Sequence, residues 1–92
     1  MAVGLILDYR GGTLAQYDRI MEMMPGAGRR VPPGAIFHWV AATDDGVRVV
    51  EVWEDRATFD EFDEEMLSSF SADVGIPQPE ITEYAVHNML SK

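Results

Sequence analysis

His38 and His87 are the only imidazoles in a chain that has no cysteine. An imidazole titrates near neutral pH, so either residue could act as a general acid or base. His38 lies in the run Gly34 to Phe62, GAIFHWVAATDDGVRVVEVWEDRATFDEF, which also holds both tryptophans, Trp39 and Trp53. If that run folds as a hairpin, Glu51 can stand beside His38. A carboxylate at an imidazole fixes the ring's tautomer, which proton transfer requires. His38 and Glu51 are therefore the candidate catalytic pair. A plainer role for His38 is a structural hydrogen bond at a strand pairing or a dimer seam.

Trp53 is either an aromatic wall for a planar ligand or a large hydrophobe that seals an interface. Tyr9 and Tyr84 carry phenols that can donate to an enolate or quinone oxygen, and both also suit packing. Asp8, near the end of an apolar strand, either faces a cavity or caps the turn that follows. His87, near the C-terminus, suits an interface or the edge of a ligand site. Two histidines without local ligand spacing make no metal site. Ser68, Ser69 and Ser71 fit no nucleophile pattern, and no glycine loop suits phosphate.

Bulk properties narrow the classes further. The 92 residues make a single domain, and 47% hydrophobic content is generous for that length. The surplus points to a partner, most simply a second copy of the chain. A formal charge of −9 would repel nucleic acid and anionic membranes alike. No apolar run approaches membrane-spanning length. The N-terminal apolar run lacks a basic lead and is short for a signal peptide. A cytoplasmic protein is the expectation.

The elements that must position these residues follow from periodicity. Ala2 to Tyr9 is a strand, broken by Gly11 and Gly12. Thr13 and Gln16 have capping-box spacing, and Leu14, Tyr17, Met21 and Met24 make a helical stripe widened by Ile20. Pro25 to Gly34 is a long loop with three prolines, three glycines and the pair Arg29–Arg30. That pair could meet an anionic ligand or simply be solvated. Ala35 to Thr43 and Val47 to Glu54 are strands around Asp44–Asp45–Gly46. Asp55 caps a second helix with Phe59, Phe62, Met66 and Phe70 on one stripe, and its acids face solvent. Gly75 and Pro77 stop it, and Glu80 to Met89 forms the last strand.

Hairpin register decides which side chains share a face. An even loop puts His38, Val40 and Ala42 with Val49, Glu51 and Trp53, and sets Phe37, Trp39 and Ala41 with Val50 and Val52. The even register is preferred. It offers one wholly apolar face to the helices and leaves the His38 face open, because an imidazole under the helices has no obvious partner there. A three-residue loop would cross the sets over.

The order strand–helix–strand–strand–helix–strand is the ferredoxin-like α+β arrangement, a four-stranded antiparallel sheet with helices on one side. Its open face, with Trp53, Val49 and Val40, would be buried by pairing with a twin. The element order, the VWEDRATFDEF passage and the short last strand resemble the dimeric α+β barrel superfamily, and most closely its antibiotic-biosynthesis-monooxygenase-like branch. That resemblance implies a homodimer with a pocket in each protomer, between the open sheet face and its helices. It also implies chemistry on small aromatic or polyketide-like molecules without a prosthetic group, as a monooxygenase or cyclase. Trp53 matches the family's strand-end tryptophan, which lies in the pocket of the haem-degrading branch. Asp55 to Phe70 lacks that branch's helix histidine, so haem degradation is not expected, and the resemblance to the cofactor-independent members implies no cofactor. The alternative is a dimeric binding or interaction module without catalysis.

Overall fold

The computed structural model describes residues 1–92. Its elements are β1 (Val3–Arg10), α1 (Leu14–Met23), β2 (Ala35–Thr43), β3 (Gly46–Trp53), α2 (Arg56–Phe62), α3 (Ser68–Val74) and β4 (Glu80–Ala85). All three pairings are antiparallel, in the order β2-β3-β1-β4. The ferredoxin-like expectation holds.

Local chemistry accounts for the boundaries. The Thr13 side chain accepts from the Gln16 amide while Gln16 Oε1 accepts from the Thr13 N–H, which closes the capping box at 3.1 and 3.0 Å. Asp55 Oδ1 accepts from the Thr58 amide at 2.7 Å and starts α2. The second helix is not continuous. Asp63–Leu67 forms a π-turn between α2 and α3, in which the Ser68 N–H donates to the Asp63 carbonyl five residues back. The last strand is shorter than its alternation predicts. Val3 pairs with Ala85, and beyond it only the Val86 N–H finds β1's lead-in, at the Ala2 carbonyl. Without a neighbouring strand the pattern after Ala85 has nothing to bond.

The hairpin adopts the even register: His38 faces Glu51, Val40 faces Val49 and Ala42 faces Val47. A bulge at Ile36 shifts the pairing so that Ala35 lies opposite Trp53. The faces, however, are the reverse of the expectation. The helices cover Val3, Leu5, Leu7, Tyr9, Val47, Val49 and Trp53, which form the buried core with Ile20, Met24, Phe59 and Ile76. The Phe37–Trp39 side is the open one, with Phe37 50%, Trp39 44% and Tyr84 60% exposed. The imidazole does sit beneath the helices, because partners for it are supplied there.

Candidate active site

A cavity of about 890 Å³ opens between the helix side of the sheet, α1, α2 with its π-turn, and the loop after α1. Leu7, Tyr9, His38, Val47, Val49 and Glu51 make its sheet wall. Tyr17 and Ile20 line it from α1, and Phe62 and Met66 from the second helical run. The lining is mostly apolar, with a few polar groups that converge, the usual composition of a small-molecule pocket.

Three of those polar groups, on Tyr17, His38 and Glu51, form one chain of hydrogen bonds that Trp53 completes from behind the wall. The Trp53 indole N–H donates to Glu51 Oε1 at 3.1 Å. The His38 Nδ1–H donates to Glu51 Oε2 at 2.9 Å. His38 Nε2 and the Tyr17 hydroxyl lie 2.5 Å apart. The Tyr17 phenol is pushed up to about 12, first by burial and then by the charges of Glu51 and Asp18. It therefore stays protonated at neutral pH and donates to Nε2. Glu51 as acceptor from Nδ1 and Tyr17 as donor to Nε2 specify one neutral tautomer. Every buried polar side-chain atom has a partner, so the network meets the condition under which a carboxylate is tolerated inside a protein.

The remaining sequence candidates fall in different places. Tyr9 is buried on the sheet wall of the cavity. Its phenol is raised well above the ordinary range by burial, with Glu51, Asp63 and Tyr17 adding to the shift. Trp53 is 0% exposed and does not line the cavity. Its ring meets Phe59 edge-on at 5.5 Å and Phe62 at 5.4 Å between centroids. Its contribution is the N–H that holds Glu51. Asp8 lies on the open face, where Arg48 donates to both of its oxygens at 2.7 and 3.2 Å. His87 is exposed beyond β4. No three His, Cys, Asp or Glu side chains converge as metal ligands. No helix is long and apolar enough to cross a membrane.

Tyr17 is the member of the network that sequence reasoning placed only in the apolar stripe of α1. The available signal was a hydroxyl on a helix face destined to cover a sheet, since a buried phenol needs an acceptor. The hairpin's histidine supplies it.

No protein-family model and no curated protein matches the chain. Solved structures do. A candidate antibiotic biosynthesis monooxygenase of Chloroflexus aurantiacus is 20% identical with a TM-score of 0.73, over 99% of this chain and 98% of that one. SnoaB, a cofactor-independent oxygenase of Streptomyces nogalater, is 15% identical with a TM-score of 0.61, over 99% and 97%. The ActVA-Orf6 monooxygenase of Streptomyces coelicolor, solved with nanaomycin D, is 19% identical with a TM-score of 0.52, over 99% and 91%. At this level of identity the likeness speaks to architecture: the chain has the ferredoxin-like α+β fold of the antibiotic biosynthesis monooxygenase structures.

Proposed function

We propose that the protein is a cofactor-independent monooxygenase acting on a small aromatic or polyketide-like molecule. The observation that carries this reading is the Tyr17–His38–Glu51 chain at the wall of a largely apolar cavity. The fold shared with the oxygenases above supports it. A phenolic substrate in the cavity would hydrogen-bond to the Tyr17 oxygen. Its proton moves to that oxygen as Tyr17's own proton moves to His38 Nε2, and Glu51 stabilises the imidazolium. Tyr9, kept protonated by its burial, can donate to the oxyanion that forms. The resulting electron-rich ring is the reductant for dioxygen, the co-substrate. A ring CH₂ becomes C=O, one oxygen atom is incorporated and the other leaves as water. All four electrons come from the substrate, so no external reductant enters.

His38→Ala is expected to slow conversion of a hydroxylated anthrone to its anthraquinone by about 10²-fold or more, the usual worth of a positioned acid–base group. Unchanged turnover in that variant would remove His38 from the mechanism. A second reading has its own observation. Both ring nitrogens of His38 are already occupied, as in a structural network of a binding module. Tight binding of the anthrone with no acceleration by the unaltered protein would favour it.

The same reading includes a homodimer. Phe37, Trp39 and Tyr84 make the open sheet face an apolar surface of the kind that soluble proteins cover. A second copy, placed sheet to sheet about a two-fold axis, covers it with the same residues.

A further inference from the structure

We infer that the cavity takes an anionic aromatic molecule, whose carboxylate is held by Arg29 and Arg30. This rests on the cavity being a ligand site, as proposed above, and adds the chemical class of the ligand. Arg29 and Arg30 are in the loop that lines the cavity beside α1. The chain has only seven basic residues against sixteen acids. Arg10, Arg48 and Arg56 are each committed to carboxylates: Arg10 to Asp45 and Glu80, Arg48 to Asp8, and Arg56 to Asp60 and Glu83. Arg29 and Arg30 form no such pair, nor does Arg19, but of these three arginines only Arg29 and Arg30 line the cavity. Two adjacent guanidinium groups that make no ion pair at a cavity can receive an anion, and the planar fork matches a carboxylate in two parallel bonds.

The loop is built to place them. Gly26 and Gly28 have φ of 74° and 73°, the left-handed region in which a side chain is strained. A β-carbon on Gly26 would come within 3.0 Å of Arg30 Nε, so glycine leaves room for that side chain against the loop. Gly28 likewise admits Met21, whose β-carbon would otherwise lie 2.8 Å away. The cavity also carries Glu61 and Glu65, on the second helical run. They repel an anion and so disfavour its carboxylate along that helical run. The ring then lies over the apolar lining of the same cavity, which Tyr17 shares.

The test compares two anthraquinones that differ in one group: rhein, with a ring carboxylate, and chrysophanol, with a methyl in its place. Their affinities are measured by titration calorimetry against the intact protein and its Arg29→Gln/Arg30→Gln variant. Rhein is expected to bind the unaltered protein about tenfold more tightly than chrysophanol, with the advantage shrinking as salt screens the exposed guanidinium groups. The glutamine pair should erase that advantage and leave chrysophanol unchanged, and Arg29→Lys/Arg30→Lys should restore part of it. Equal binding of the two compounds by the unaltered protein would overturn the anion assignment while leaving the cavity as a ligand site. Binding of neither would overturn both. An equal loss of both compounds in the glutamine variant would assign the arginines to loop shape, and a gain of both would make them a latch toward Glu61 and Glu65. Either result ends the proposal.

Discussion

The two faces of the sheet both carry large apolar side chains and have opposite fates. On the helix side, Leu5, Leu7, Val47, Val49 and Trp53 enclose a carboxylate and an imidazole. On the other, Phe37, Trp39 and Tyr84 stand exposed. Strand side chains alternate, so the same hairpin feeds both. What separates the faces is polar bookkeeping rather than hydrophobicity: the side with His38 and Glu51 goes under the helices because Tyr17 and Trp53 satisfy them there.

The two tryptophans give the sharpest way to break this comparison, since they share a hairpin and differ in face. Trp53→Ala removes the core's fully buried indole and leaves Glu51 Oε1 without its donor, so urea unfolding should show a loss of about 3–5 kcal/mol. A loss below about 1 kcal/mol would mean that the core does not rest on this side chain. Trp39→Glu should act on assembly instead. Sedimentation at micromolar concentration should show monomers with unchanged far-ultraviolet circular dichroism, against dimers for the parent. A variant that remains dimeric would place the interface elsewhere.

The smallest effect belongs to Tyr17. Its phenol titrates near 12 in the folded chain against 10.0 when free, so the folded state holds its proton longer. The stability linked to this group is complete below pH 10 and is lost as pH rises from there towards 12. The parent's melting temperature should therefore fall over that range. Tyr17→Phe should flatten part of the fall, with the rest left to Tyr9. Identical alkaline profiles would show that the phenol is not protected as the network requires.

Much of the fold was legible in the sequence. Helix starts were written in side chains three residues apart, at Thr13–Gln16 and Asp55–Thr58, where cause and effect are local. The even hairpin register also held, although it was preferred on an argument about faces that the folded chain reverses. Which face turned inward was not written locally, because it depends on a phenol 21 positions from the histidine in the chain. Periodicity gave Tyr17 a place in a stripe and could not say that its hydroxyl would meet Nε2. The same limit applied to β4, whose alternation continued past the point where β1 could answer it. The loop arginines stood out by composition, but their place at the cavity came only from the folded chain.

The π-turn at Asp63–Leu67 has a consequence of its own. Such a turn takes up one residue beyond what a regular helix needs, so the segments on either side keep their outlook on the sheet. Phe59 and Phe62 before it and Phe70 and Val74 after it all pack on the core. Shortening the run by one residue there would straighten it and redraw the part of the cavity formed by Met66 and Leu67. His38 and Glu51, fixed on the strands, would stay where they are. The room for a differently shaped guest can thus be changed in the helix while the hydrogen-bonded pair on the sheet is left intact.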